Sequence, residues 1–206
     1  MNRKDNIITT NRKFFDLWGL VYDWFLLKPW LYSLQKKTVN LIKLKQNSFI
    51  LDVGCGTGDS LALLSEKNHY NLYGVDLSNV MLRKAEEKLK NKAIFKLGDA
   101  ENLFFKNNFF DCVLSTEAFH HFPDPDLALK EIFRVLKING KIIITDITFK
   151  SRFIKRLFKI LEPGHVKIYT KEEFMELFKN NGFKITRQEK IGLFSVSTIG
   201  EKKIKK

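Results

Sequence analysis

The stretch Ile50-Leu51-Asp52-Val53-Gly54-Cys55-Gly56-Thr57-Gly58 constrains this chain most. A short apolar strand runs straight into glycines at alternate positions and then into a helix. Glycines there permit positive φ and let a ligand touch bare backbone. Three chemistries use such a turn. A Walker loop ends in Gly-Lys-Ser/Thr, but Gly58 is followed by Asp59-Ser60. A dinucleotide fingerprint needs a third glycine where this chain has Asp59, and an acid at that helix start disfavours a pyrophosphate. What remains is G-x-G-x-G with an acid, Asp52, two residues before its first glycine.

From residue 48 onward, β-rich apolar runs alternate with helical patterns. The runs are 49–53, 71–75, 93–97, 109–115 and 141–145, an arrangement that predicts a parallel sheet covered on both faces. Ser78 is placed to cap a helix carrying Met81, Leu82, Ala85 and Leu89 on one side. Asp124 then Pro125 reads as N-cap and first helical position, and Leu129, Ile132, Phe133 and Leu136 follow at helical spacing. Gly140 is expected to end that unit. Thr170 precedes a helix over 171–180, which Gly182 stops. Residues 183–189 and 194–199 read as a final antiparallel hairpin joined through 190–193, and residues 202–206 as a frayed tail.

The chain has 206 residues, 44% of them apolar, which excludes a disordered protein. Two cysteines cannot frame a disulfide scaffold, so a reducing, cytoplasmic location is expected. The apolar run at 17–22 is too short to span a membrane, and no leader pattern precedes it. Phe14, Phe15, Trp18, Tyr22, Trp24, Phe25, Trp30 and Tyr32 crowd the N-terminus. Residues 1–47 are therefore read as a helical extension to the domain at 48–206, either packed on it permanently or covering its ligand cleft as a lid.

The glycine stretch resembles motif I of the class I S-adenosylmethionine-dependent methyltransferases. Four further segments match in order. Tyr73-Gly74-Val75-Asp76-Leu77-Ser78 resembles the second strand with its ribose-binding acid, and Gly98-Asp99-Ala100 the adenine-contacting turn. Phe110-Asp111-Cys112-Val113-Leu114-Ser115 resembles the fourth strand, and Arg134-Val135-Leu136-Lys137 with Gly140 the passage to the fifth. The likeness covers about 48–148 and is closest to the quinone-biosynthesis C-methyltransferases. Ile138-Asn139-Gly140 departs from the Pro-Gly-Gly usual there. The resemblance implies an α/β, Rossmann-like, seven-stranded, mostly parallel sheet with an antiparallel C-terminal strand pair, and helices on both faces. It also implies S-adenosyl-L-methionine as methyl donor, released as S-adenosyl-L-homocysteine. The cofactor set it implies is Tyr22, Asp52, Gly54, Cys55, Gly56, Asp76, Leu77, Met81, Asp99, Ala100, Ser115 and Thr116. Physical chemistry agrees at two positions. Asp76, 22 residues after Gly54, offers a carboxylate to two ribose hydroxyls, and Asp52 puts negative charge near a cationic ligand.

Methyl transfer from a sulfonium needs alignment, exclusion of water and, for some acceptors, removal of a proton. The ends of the fourth and fifth strands carry Glu117, His120 and Asp146, the catalytic candidates, with His120 as general base because imidazole titrates near neutral pH. His121 is the alternative base, and a loop pair satisfied by backbone is the plainer reading. Glu117, His120, His121 and Asp124 have metal-like spacing, but methyl transfer requires no metal and none is expected. Phe122-Pro123-Asp124-Pro125 lacks the adjacent prolines and aromatic of base-methylating enzymes.

The expected acceptor is a small molecule, apolar in keeping with the aromatic N-terminus. The net charge of +13 is divided as +6 over 1–50, −2 over 51–149 and +9 over 150–206. Basic ends can draw nucleic acid, so an RNA or protein methyltransferase is the alternative, but no RNA-binding module is visible. A non-catalytic cofactor-binding regulator is the third reading. Phe153, Ile154, Leu157, Phe158 and Leu161 face Arg152, Lys155, Arg156 and Lys159 across a helical pattern at 150–161, suited to an anionic membrane surface or to packing on the domain. His165 lies in a loop near the acceptor side. The chain is expected to be a monomer or homodimer.

Overall fold

In a computed structural model the protein is described over residues 3–21, 28–149 and 166–203, together with 151 and 156. Two helices lead, α1 (Arg3–Val21) and α2 (Lys28–Asn40). Then follow β1 (Phe49–Val53), α3 (Asp59–Lys67), β2 (Asn71–Asp76), α4 (Asn79–Leu89), β3 (Ala93–Leu97) and β4 (Phe110–Thr116). The chain continues with α5 (Pro125–Val135), β5 (Leu136–Ile147), α6 (Lys171–Asn180), β6 (Phe183–Lys190) and β7 (Ser195–Lys202). The strands form one seven-stranded sheet in the order β3-β2-β1-β4-β5-β7-β6. The first five are parallel, and β7 runs antiparallel to both of its neighbours.

The central strands are apolar on both sides because both sides are covered. On one face Leu51, Val53, Val113 and Ile144 pack with Leu129 and Ile132 of α5 and Phe174 and Phe178 of α6. On the other, Ile50, Leu114 and Ile143 meet Val39 of α2, Leu61 and Leu64 of α3, and Leu82 and Leu89 of α4. The strand order reverses between β1 and β4, and their C-terminal ends open a crevice there.

The expected caps are present. Ser78 Oγ accepts from Met81 N at 3.2 Å, and Asp124 from Leu127 N at 3.0 Å. Thr170 and Glu173 form a reciprocal capping box, and Gly182 follows α6 at φ +84°. Two expectations are corrected. Gly140 does not end a helix: α5 stops at Val135, Leu136 already pairs with Phe110, and 137–140 bulge out with Asn139 at φ +63° before regular pairing resumes at Lys141. Gly140 is needed inside that bulge, since an added Cβ would lie 2.8 Å from Lys137 O. Nor is Lys202 part of a frayed tail. It ends β7, buried, donating to Asn108 Oδ1 and to the carbonyls of Phe133 and Leu136 at 2.7–2.9 Å.

Helix α2 is built into the core rather than resting on it. Leu34, Thr38 and Val39 are buried, and Thr38 Oγ1 donates to Thr145 Oγ1 of β5 at 2.7 Å. Helix α1 lies against α4 and the crevice. Among the described residues no helix is long and apolar enough to cross a membrane.

Candidate active site

The glycine turn after β1 assigns each glycine a different task. Gly54 N and Cys55 N donate to Val75 O at 2.8 and 3.1 Å, tying the turn to β2. At Gly54 (φ +74°) an added Cβ would lie 2.5 Å from Ala118 Cβ. At Gly58 (φ +76°) it would crowd Leu89 and Ala85 of α4 at 3.0 and 3.1 Å. Gly56 (φ +51°) instead faces open space, with nothing within 4 Å of a built Cβ. A ligand can therefore approach the backbone at Gly56. Asp59, the residue that breaks the dinucleotide pattern, is ion-paired with Lys88, whose Nζ also donates to Thr57 O at 2.8 Å.

The turn forms one wall of a cavity of about 460 Å³. Asp76 stands in that wall at the end of β2. Its Oδ2 accepts from Gly56 N at 2.8 Å and its Oδ1 from Ser78 N at 2.9 Å. Burial raises its pKa, and the N–H donors from Ser78, Gly56 and Leu77 oppose that rise. Each carboxylate oxygen keeps a further lone-pair direction for a ligand hydroxyl. Leu77, Met81, Gly98, Asp99 and Ala100 line the same side, and Asp99 Oδ1 is engaged by Glu101 N at 3.0 Å. A glycine opening beside a ribose-competent carboxylate, with apolar walls at Leu77 and Met81, fits an adenosyl group.

Asp52, Ser115 and Asp146 do not line the cavity but stand behind its wall. Burial, and secondarily the charge of Asp76, push the Asp52 carboxyl up to about 8. Cys55 lines the turn as a buried thiol held protonated by burial and the neighbouring carboxylates, so it is no nucleophile.

The turn after β4 also lines the cavity. Glu117 lies at φ +54°, lines the cavity, and accepts from Ser195 Oγ at 3.0 Å. His120 and His121 lie in a 3₁₀ turn, both buried and both on the cavity wall. The Asp146 carboxylate grips His120 twice, through its main-chain N–H at 2.9 Å and its ring Nδ1 at 2.5 Å. Thr116 completes this wall. Among the described residues no group of three or more His, Cys, Asp and Glu converges as a metal site.

The N-terminal helices border the cavity as well. Asn11, Phe14 and Phe15 of α1 and Trp30, Leu31 and Gln35 of α2 line it. Phe15 sits edge-on to His121 with ring centroids 4.7 Å apart, and Asn11 Nδ2 donates to His121 O at 2.9 Å. Asp16 accepts from Ser78 Oγ at 2.6 Å, fastening α1 beside Asp76. Sequence reasoning finds the aromatics here but misses Asn11 and Gln35, because nothing local marks a polar helix residue that meets the site only through packing. Thr57, Ala118, Phe122 and Ile147 are also wall residues beyond the expected set. Tyr22, the rings of Trp18, Trp24 and Phe25, His165, and nearly all of the amphipathic segment 150–161 lie outside the described residues.

Residues 51–144 match the methyltransferase domain family. Over 146 residues the chain is 34% identical to the chloroplastic 2-methyl-6-phytyl-1,4-hydroquinone methyltransferase of Arabidopsis thaliana, an alignment covering 69% of this chain and 42% of that protein. The chain thus spans less than half the length of that relative. Over 177 residues it is 30% identical to the demethylmenaquinone methyltransferase of Thermotoga maritima, covering 74% of this chain and 77% of that one. A chain in a solved Haloferax volcanii structure, the Trm112 methyltransferase activator in complex with a methyltransferase, superposes with a TM-score of 0.85 at 20% identity, over 92% of this chain and 98% of that one. That likeness shows the fold alone.

Proposed function

This chain belongs to the class I S-adenosylmethionine-dependent methyltransferases, and from that premise we propose that it methylates a small apolar acceptor bearing a ring hydroxyl, of the hydroquinone type. The observation that carries this reading is a single cavity lined both by Gly56 and Asp76 and by the apolar side chains of Phe14, Phe15, Trp30 and Leu31, with His120, backed by Asp146, on its wall. One relative is named for a phytyl-bearing hydroquinone, which matches the apolar walls.

S-adenosylmethionine, when bound, supplies an activated methyl group on a sulfonium that leaves as a neutral thioether. The chain's own groups do the rest. Asp76, which borders the cavity, would accept hydrogen bonds from the ribose hydroxyls, and the Gly56 opening would let the ligand lie against bare backbone. Leu77 and Met81 would flank the adenine, with Asp99 and Ala100 at its edge. Asp146 receives the Nδ1 proton of His120, so the lone pair resides on Nε2. His120 then takes the acceptor hydroxyl proton as the ring becomes nucleophilic. Phe14, Phe15 and Trp30 exclude water from the transfer.

The test is S-adenosylhomocysteine release by the purified protein. It is expected with prenylated or alkylated hydroquinones and not with total RNA or protein extract. Turnover with RNA or protein alone would overturn the acceptor assignment, and no turnover with any acceptor would favour a non-catalytic binder.

A further inference from the structure

Two large apolar side chains stand together at the tip of the hairpin between β6 and β7. Ile191 N donates to Ser195 O at 3.0 Å and closes the hairpin, leaving Gly192, Leu193 and Phe194 as its turn. Turns ordinarily carry small or polar residues. Here Leu193 is 70% exposed and Phe194 44% exposed. The tip stands at the end of the sheet where the cavity opens. Ser195 is in register with Ile147, the last residue of β5, and Thr148 N donates to Phe194 O at 2.7 Å. An apolar path joins the tip to the cavity. The Phe194 ring packs on Phe149 with centroids 5.5 Å apart, Phe149 clusters with Ile147 and Trp30, and those two line the cavity.

The charge around the tip is positive. Lys190 precedes it, exposed, and Lys37 of α2 reaches across to donate to Ile191 O at 3.0 Å. The acids beside it are engaged: Glu189 is ion-paired with Arg187, and Glu117 accepts from Ser195 Oγ. The tip and α2 belong to the two basic ends of the chain, +6 over 1–50 and +9 over 150–206, whereas the middle carries −2.

We propose that this tip docks on an anionic lipid surface, and that a membrane-borne acceptor enters the cavity along the path from Phe194 through Phe149 to Trp30. Apolar side chains flanked by lysines fit such a surface: the first enter the boundary of the acyl chains while the second meet the phosphates. A stable protein partner would need about 800 Å² of this chain's surface, far more than two side chains on a turn offer. The entry route rests on the acceptor class of the proposed function, while the docking itself does not.

The experiment is co-sedimentation of the purified chain with phosphatidylcholine–phosphatidylglycerol vesicles and with phosphatidylcholine vesicles. Retention is expected on the first, falling as salt is raised, and not on the second. Leu193→Asp is expected to lower the partition coefficient at least tenfold, and Leu193→Trp to keep or raise it. Because Leu193 is exposed, thermal unfolding of both variants should match the parent. Turnover of a short-chain, water-soluble hydroquinone should be unchanged in Leu193→Asp, while turnover of a long-chain hydroquinone held in the anionic vesicles should fall about as far as the partition coefficient. No turnover of the soluble hydroquinone by the parent would defeat the proposed acceptor separately, since vesicle retention is read without it. No retention on either vesicle, equal retention on both, or undiminished retention of Leu193→Asp would overturn the docking. So would a parent that stays off vesicles and dimerises through Leu193, which would assign the tip to a second copy of the chain.

Discussion

Asp146 holds His120 by two hydrogen bonds from one carboxylate, one to the main chain at 2.9 Å and one to ring Nδ1 at 2.5 Å. Both residues are almost wholly buried. The imidazole is thus held in place through both its ring and its main chain, and the proposed base is its other ring nitrogen. His120→Ala is expected to lower kcat by about a hundredfold or more while the affinity for S-adenosylhomocysteine changes little. Asp146→Asn should also lower kcat and shift the pH profile of turnover, because an amide cannot take the Nδ1 proton's charge-assisted bond. Steady-state kinetics across pH, alongside calorimetry, checks both. An unchanged rate in His120→Ala would return the pair to a structural role.

Asp76 receives two backbone N–H groups and borders the cavity. Asp76→Ala removes the proposed ribose acceptor and the hydrogen bond to Gly56 N together. Cofactor affinity is expected to fall at least tenfold. Calorimetric titration with S-adenosylhomocysteine measures it, and an unaltered dissociation constant would remove Asp76 from the site.

Gly54 and Gly56 should separate stability from binding. In Gly54→Ala the new methyl would press on Ala118 in a positive-φ position, which predicts a loss of about 2–3 kcal/mol. In Gly56→Ala the methyl enters open space, so only the left-handed backbone opposes it, at about 1–2 kcal/mol. The same methyl occupies the ligand's approach, and cofactor binding should be largely lost. Chemical denaturation and calorimetry on the two variants should rank them oppositely. Equal binding by Gly56→Ala and the parent would contradict this division of labour.

Asp52 predicts a dependence on pH. Its folded pKa of about 8 lies well above the unfolded value, so the folded chain retains a proton that the unfolded chain releases. The stability it contributes is complete below about pH 4 and is lost as pH rises through about 8. Asp52→Asn cannot ionise, so its stability relative to the parent should rise between pH 5 and pH 8 in denaturant titrations without ligand. A difference that stays constant over that range would show that Asp52 does not titrate there.

The sequence by itself determined the strand and helix order, the caps at Ser78, Asp124 and Thr170, and the glycine turn and acids, Gly54, Gly56, Asp76 and Asp99, that line the cavity. These rest on local rules: strand alternation, capping chemistry and the positive φ of a glycine turn are written within a few residues of where they act. The bulge at 137–140 escaped because it is fixed by pairing across to β4, and Lys202 because its partners lie far off at Asn108, Phe133 and Leu136. Only the tertiary structure decided that Asp146 stands behind His120, that Asn11 and Gln35 reach the cavity, and that Asp52 is buried out of contact with it. Those relationships join residues separated by tens of positions. They arise from how the helices seat on the two faces of the sheet, a choice made by the whole apolar core.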